Sequence, residues 1–206
     1  MTRAFALKHF KKVDPKFHAA TKAHHASLPE VLPGRTTKAA LFESLASTVV
    51  SQQLGLAAAK SIFARVKTAV GGKVTSDALL KVRIPKLRGA GLSGAKSKTL
   101  KEIAKAVKTG KLDLMALKKI SEADATERLI QIWGLGPWSA EMFLMFSVGR
   151  PDIFSAGDLG LARGMEQIFG LPKNTDREKL NKIAEKWAPF RTYASLLLWE
   201  TRDAKK

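Results

Sequence analysis

The fold of this 206-residue chain is decided by one stretch, Leu129-Ile130-Gln131-Ile132-Trp133-Gly134-Leu135-Gly136-Pro137-Trp138-Ser139-Ala140. Apolar residues at helical spacing lie on both sides of a turn that holds two glycines. Glycine permits left-handed backbone angles and the close approach of another backbone. Pro137 suits the first position of a following helix. The stretch therefore predicts two helices joined by a tight turn, a hairpin over about residues 121–148.

The first turn of the second helix offers a binding surface for an anion. Its backbone N–H groups have no partner within the helix, and the helix dipole adds positive charge there. A DNA phosphate is a suitable anion, and the candidate contacts are Gly134, Gly136, Pro137 and Ser139. An ordinary helix–helix turn is the alternative, and Gly-x-Gly alone would favour it.

The net charge favours a nucleic-acid partner. The chain has 36 Lys and Arg against 18 acidic residues, a formal charge of +18. Residues 83–119 hold 11 of the basic residues and only two acidic ones, and Lys98, Lys101, Lys105 and Lys108 recur at helical spacing. Such an excess is typical of proteins that bind a polyanion. An anionic membrane surface is a second candidate, and a basic protein with no polyanion partner is a third.

The rest of the chain is also patterned for helices. Glycine and proline separate periodic apolar segments throughout, with candidate capping boxes at Ser121–Asp124 and Thr175–Glu178 and a short helix expected over Asp113–Ile120. The pattern predicts an all-α protein of about ten short helices. We expect a single domain over residues 1–206, with a segment 1–35 that packs on the helical core or extends from it.

The absent residue types exclude several kinds of site. The chain has no cysteine, which rules out disulfides, cysteine-ligated iron–sulfur clusters and a cysteine nucleophile. The four histidines all lie in the first 25 residues. No apolar run approaches the roughly 20 residues of a membrane span. We see no signal peptide and expect an intracellular, monomeric protein without membrane contact.

Further segments resemble one family. The hairpin is followed by Val148-Gly149-Arg150-Pro151-Asp152-Ile153-Phe154-Ser155-Ala156-Gly157-Asp158, with Leu161 and Arg163 at the third and fifth positions beyond Asp158. Together with Ser51-Gln52-Gln53-Leu54 and Arg191–Trp199, this resembles the helix-hairpin-helix (HhH-GPD) DNA glycosylase superfamily, in its 3-methyladenine DNA glycosylase II branch. The likeness covers roughly residues 36–202 and suggests a compact member without an N-terminal β domain.

The resemblance implies a fold and a reaction. The fold would be a two-lobed helical bundle with an interlobe cleft. The reaction would be hydrolysis of the N-glycosidic bond of alkylated purines in damaged duplex DNA, such as 3-methyladenine or 7-methylguanine, after base flipping. Asp158 would be the catalytic carboxylate, although an Asp before a helix is also a plain N-cap. Asp152 would be a surface residue.

The resemblance also implies a pocket and DNA contacts. Trp138, Trp199, Met142 and Tyr193 would form the base pocket, unless they are plain core. Trp138 stands where lyase members carry a lysine, so no lyase activity is expected. Leu92 or Gly94 would be the wedge that fills the gap left by the extruded base. Gln52 and Gln53 would contact the minor groove or the opposite base, unless they cap helix ends. Lys96 is a further expected DNA contact.

The hairpin of relatives holds a monovalent cation, and the backbone carbonyls of Ile130, Ile132 and Leu135 fall at the matching places. A structural Na⁺ or K⁺ is therefore an implied ligand, and no other cofactor is expected. Two rival functions remain. One is a DNA-binding module without chemistry, and the other is a glycosylase for uracil, mismatched or oxidised bases.

Overall fold

The computed structural model describes residues 1–203 apart from the side chain of Asp203, and the regular elements among them are all helical. This confirms the all-α prediction. The α-helices are α1 Arg3–Val13, α2 Pro15–Ala20, α3 Lys38–Ser51, α4 Leu56–Ala69, α5 Ser76–Lys81, α6 Ile84–Gly89, α7 Gly94–Lys108, α8 Glu122–Ile130, α9 Pro137–Phe143, α10 Leu159–Phe169, α11 Arg177–Ala184 and α12 Arg191–Asp203. None of these described helices is long and apolar enough to cross a membrane.

The chain divides into two compact units. The terminal unit comprises Met1–Gly34 and the chain from Gly149 onward, and the central unit is Arg35–Val148. The central unit therefore carries α3 to α9 with the predicted hairpin, and the terminal unit carries α1, α2 and α10 to α12.

Helix α7 organises the central unit. It packs against α3, α5 and α6, and its apolar side, including Leu100, Ile103 and Val107, is buried. Burying each such side chain stabilises the folded state by about 1.5–3 kcal/mol. Lys98 and Lys105 are exposed on the opposite side. The amphipathic pattern predicted for this helix is therefore present.

The hairpin forms as predicted, between α8 and α9. Ser121 caps α8 by accepting the N–H of Asp124 at 3.1 Å, and its hydroxyl donates to the Asp124 carboxylate at 2.7 Å. Gly134 has φ +83°, and a Cβ there would overlap the side chain of Thr99. Gly136 is extended and has open space around it. Of the two hairpin glycines, only Gly134 therefore needs to be glycine for steric reasons.

The segment before residue 35 packs into the terminal unit. Phe10 of α1 and Phe17 of α2 are fully buried, and the rings of Phe17 and Trp187 lie 4.5 Å apart between centroids. The buried Asp14 carboxylate accepts the Trp187 indole N–H at 3.0 Å. Side chains of α1 and α2 are therefore part of the core of the terminal unit.

Three local predictions differ from the structure. Only a short 3₁₀ turn, Ala116–Lys118, forms where a helix was expected over Asp113–Ile120. The carboxylate of Asp113 accepts the N–H groups of Met115 and Ala116, which holds a turn instead. The cap of α11 is Asp176 rather than Thr175. Helix α9 is also shorter than expected, because it changes to a π-helical turn over Leu144–Val148.

Candidate functional site

Asp158 lies at the N-terminus of α10 in the terminal unit, and its carboxylate is held from two sides. Oδ1 accepts the backbone N–H of Leu161 at 3.0 Å and the indole N–H of Trp199 at 2.9 Å. The side chain is half-buried. Asp158 is therefore an N-cap, as the alternative interpretation held. The bond from Trp199 is additional, and a helix cap does not require it.

Gly160 leaves room for a third group beside this carboxylate. A Cβ at Gly160 would overlap Nη1 of Arg202 and come within 2.9 Å of both Asp158 Oδ1 and Trp199 Cδ1. The Arg202 guanidinium thus lies beside the Asp158 carboxylate. It brings a fixed positive charge and several hydrogen-bond donors to the site. Sequence reasoning missed Arg202, because its distance from Asp158 along the chain gives no signal.

Tyr193 is not on the surface of this site. Its side chain is fully buried in the core of the terminal unit, and its hydroxyl lies 3.3 Å from the Met1 carbonyl and 3.5 Å from the Glu30 carbonyl. Burial raises the pKa of the phenol. The structure therefore contradicts Tyr193 as a direct pocket contact and supports the alternative that it is core.

Asp152 forms an ion pair with Arg191. Its Oδ1 accepts from Arg191 Nε at 2.8 Å and its Oδ2 from Arg191 Nη2 at 2.9 Å. Oδ1 also accepts the backbone N–H of Arg191, which fixes the start of α12. This bidentate geometry matches a role in folding. Asp158 is therefore the better candidate for chemistry.

In the central unit, Gln52 joins the end of α3 to the hairpin. Its side-chain amide donates to the Gly134 carbonyl at 3.2 Å and to the Ser139 hydroxyl at 2.8 Å. Ser139 is itself buried, with 3% of its surface exposed. The side chains of both residues are thus engaged within the protein. The structure therefore does not support direct contacts between DNA and the side chains of Gln52 and Ser139.

Lys96 is engaged in the same region. Its ammonium donates to the carbonyls of Val50 at 2.8 Å and Gln52 at 2.6 Å. Burial lowers the pKa of this ammonium below its usual value. The Lys96 ammonium is thus bonded to the C-terminal end of α3 in this structure, and the expected contact of Lys96 with DNA stays a prediction. Gly94 starts α7, and a Cβ added there would have no atom within 4 Å.

The expected wedge at Leu92 is contradicted by its burial. Leu92 is only 5% exposed, so it cannot reach into a base stack. Two other apolar side chains project between the end of α3 and the first residue of α4. Leu56 is 91% exposed and Leu54 is 39% exposed, and Gln53 before them has φ +56°. We call residues 53–56 the apolar tip.

The tryptophans of the hairpin differ in exposure. Trp133 is 48% exposed, and the ammonium of Lys98 lies 4.2 Å from its ring centroid, a cation–π contact. Trp138 in the first turn of α9 is half-buried, whereas Met142 is only 7% exposed. Trp138 therefore keeps part of its surface exposed, and Met142 offers little surface for contact.

The described residues contain no group of His, Asp and Glu side chains that could hold a metal ion. The monovalent cation expected in the hairpin would use backbone oxygens instead. Of these, the Ile132 carbonyl already accepts the N–H of Leu135 at 3.0 Å. A carbonyl oxygen has a second lone pair, so this bond is compatible with a cation there.

Comparisons with known proteins give the class to which this fold and site belong. A family model described as HhH-GPD superfamily base excision DNA repair protein matches residues 46–190. The chain belongs to this superfamily. It is 36% identical over 163 residues to DNA-3-methyladenine glycosylase 1 of Schizosaccharomyces pombe, over 78% of this chain and 72% of that protein.

Two solved structures are similar over nearly the whole chain. One is a DNA-3-methyladenine glycosidase from Bacillus halodurans, with a TM-score of 0.77 and 34% identity over 96% of this chain and 91% of that chain. The other is the 3-methyladenine DNA glycosylase of Schizosaccharomyces pombe in complex with abasic DNA, with a TM-score of 0.83 and 32% identity over 96% of both chains. The family expected from the hairpin is confirmed.

Proposed function

We propose that this protein is a monofunctional DNA glycosylase that releases alkylated purines, such as 3-methyladenine and 7-methylguanine, from duplex DNA. The observation that carries the proposal is the Asp158 carboxylate, held by Trp199 and by the N-terminus of α10 beside Arg202. The similar proteins named as 3-methyladenine glycosylases support the choice of lesion. The protein acts as a monomer on DNA, in the bacterial nucleoid or in a nucleus.

The reaction breaks the bond between C1′ and the base nitrogen. As the base leaves, the sugar acquires the character of an oxocarbenium ion, which a nearby carboxylate stabilises. Asp158 supplies that negative charge and orients the water that attacks C1′. Because Oδ1 is fixed by two donors, the carboxylate is positioned before substrate arrives. Alkylation at N3 or N7 already makes the purine a good leaving group, so no strong general acid is needed.

Recognition of the base rests on its positive charge. The target must leave the duplex to reach Asp158. Aromatic faces attract a cationic base by stacking and by cation–π interaction, worth about 0.5–2 kcal/mol for each contact. Trp199 is fixed through its indole N–H beside Asp158 and is our proposed pocket wall in the terminal unit. Trp138 of the central unit is half-buried, and its contact with the base stays a prediction.

The absence of a lysine at position 138 gives a prediction on strand cleavage. A lyase forms a Schiff base through a lysine amine, and Trp138 has none to offer. We expect abasic sites that remain intact until alkali is added. Denaturing electrophoresis of the reacted duplex, with and without alkali, measures this. Cleavage before alkali treatment, at a rate that follows base release, would contradict the monofunctional assignment.

The apolar tip is the proposed wedge, in place of Leu92. Leaving a gap in the base stack costs a few kcal/mol, and an inserted apolar side chain offsets part of it. We expect Leu54→Ala and Leu56→Ala together to slow base release from duplex DNA about tenfold, the equivalent of about 1.4 kcal/mol. Single-turnover rates measure the effect, and the two single variants show which leucine carries more of it.

A Leu92→Ala control should unfold at lower temperature, because Leu92 is buried. An unchanged rate in the double variant would exclude the tip as the wedge.

The lesion assignment is tested with a panel of otherwise identical duplexes. Each duplex carries one 7-methylguanine, 3-methyladenine, uracil or 8-oxoguanine, and release is followed chromatographically. We expect release of the methylated purines and none of the other two. Release of uracil or 8-oxoguanine alone would favour the rival glycosylase. DNA binding without release of any base would favour a binding module without chemistry.

A further inference from the structure

Lys96 holds the loop that carries the apolar tip. Its ammonium spans the carbonyls of Val50 and Gln52, which are the last turn of α3 and the residue that follows it. Carbonyls at the C-terminal end of a helix have no partners within the helix, and a cation there interacts favourably with the helix dipole. Gln53, the next residue along, is in a left-handed conformation that non-glycine residues seldom adopt.

A second anchor fixes the same loop from the other side. The Gln52 side chain is bonded to the Gly134 carbonyl and to Ser139, so the loop is tied directly to the hairpin turn. Gly134 in that turn lies close to the side chain of Thr99 on α7, the helix that also carries Lys96. The end of α3, the hairpin and α7 therefore form one closed set of contacts within the central unit, and the exposed Leu54 and Leu56 project from it.

A residue keeps an unfavourable backbone conformation only where surrounding contacts hold it there. Gln52, the residue before Gln53, is held by its carbonyl, which accepts from Lys96, and by its side chain, which donates to the hairpin. The contacts therefore fix Gln52, the residue from which the segment with the exposed leucine pair continues. A preorganised side chain pays less entropy on entering its binding site than a mobile one.

We infer that Lys96 is a positioning residue for base extrusion, which holds the apolar tip rigid through the carbonyls of Val50 and Gln52 and makes no contact with phosphate. This inference rests on the proposed function, because it assigns Lys96 a part in opening the duplex. It predicts a specific pattern of substrate dependence. Loss of Lys96 should matter where a paired base must be extruded and a gap filled, and should matter little where the lesion is already unpaired.

The chain offers a closely matched control on the same helix. The ammonium of Lys101 likewise bonds two backbone carbonyls, those of Leu80 and Val82 at the end of α5, and burial likewise lowers its pKa. Lys96 and Lys101 thus make the same kind of bond. They differ in the loop that is held, since residues 80–82 carry no part of the proposed site.

The experiment compares Lys96→Met with Lys101→Met on two substrates. Methionine keeps most of the apolar stem and removes the charge. One substrate is a duplex with 7-methylguanine opposite cytosine. The other carries the same lesion in a one-nucleotide bulge, where no opposite base is present and extrusion leaves no gap. Single-turnover rates at saturating protein give the ratio of duplex rate to bulge rate for each variant, and melting temperatures report stability.

We expect Lys96→Met to lower the duplex-to-bulge ratio by up to about tenfold, the loss expected when both leucines of the apolar tip are removed. Lys101→Met should leave the ratio at the wild-type value, with a similar fall in melting temperature. In a protein that already carries Leu54→Ala and Leu56→Ala, Lys96→Met should add little further loss in the ratio, because both changes disable the same element.

Two results would overturn the inference. An equal loss on both substrates, matched by Lys101→Met, would show that Lys96 only stabilises the fold. An equal loss on both substrates with weaker, less salt-dependent DNA binding would show that Lys96 contacts phosphate. Failure of the proposed function itself looks different, because the wild-type protein would then release 7-methylguanine from neither substrate.

Discussion

Asp158→Asn is expected to release alkylated purines at least about 10³-fold more slowly than the wild-type protein, while binding DNA with similar affinity. The substitution removes the negative charge that stabilises the developing sugar cation. It changes little else, because asparagine is as good an N-cap as aspartate. Its carbonyl oxygen can still accept from Leu161 and Trp199, which both bond Oδ1 in the native site.

Asp158→Ala is the matched control for this prediction. It loses the charge and the cap together, so it should also cost about 0.5–2 kcal/mol of stability. Single-turnover base release and melting temperature, measured on both variants, separate the chemical role of Asp158 from its structural one. If Asp158→Asn retained activity and only Asp158→Ala lost it, Asp158 would be a cap and the catalytic group would lie elsewhere.

Gly160→Ala is expected to have the second largest effect. In a helix, alanine normally stabilises relative to glycine by about 0.5–1 kcal/mol. Here the added methyl group would overlap Arg202 and press within 2.9 Å of Asp158 and Trp199. Relieving that overlap must displace at least one of the three groups, so we expect a loss of about 10²-fold in base release. Overpacking should also lower stability by about 1–3 kcal/mol.

The neighbouring Gly157→Ala supplies the control for Gly160→Ala. A Cβ at Gly157 would meet Arg177 at 3.6 Å, an ordinary van der Waals contact. It should leave base release within a factor of about three, since surface substitutions usually change free energies by less than about 0.5 kcal/mol. Rates and melting temperatures are compared for the two variants. Equal activity of Gly160→Ala and Gly157→Ala would mean that the packing around Gly160 does not position the carboxylate.

The features that sequence alone predicted are those encoded locally. The hairpin followed from Gly134 and Pro137, because a positive φ and a helix start each favour one residue type. The capping of α8 by Ser121 followed from a short pattern. Asp158 was predicted from the motif around it. The hydrogen bond that it accepts from Trp199 was not predicted, because the two residues lie 41 positions apart in the chain.

The features that sequence missed depend on tertiary packing. A lysine in a basic helix looks like a phosphate contact, and nothing local shows that Lys96 bonds carbonyls 44 and 46 residues away. Leu92 between two glycines looks like an exposed loop residue, yet it is 5% exposed. Leu56 belongs to a helical sequence pattern that gives no sign of its 91% exposure. Burial and exposure of single apolar residues depend on which helices meet, which local periodicity does not specify.

Whether Asp158 catalyses base release is measured by the amount of free methylpurine released from methylated duplex DNA. Wild-type protein and Asp158→Asn are compared in parallel, with equal amounts of protein bound to the DNA. Chromatography of the ethanol-soluble fraction quantifies 3-methyladenine and 7-methylguanine. We expect release of both bases by the wild type and almost none by Asp158→Asn. Equal release by the two proteins would contradict Asp158 as the catalytic carboxylate, and no release by the wild type would contradict the proposed glycosylase.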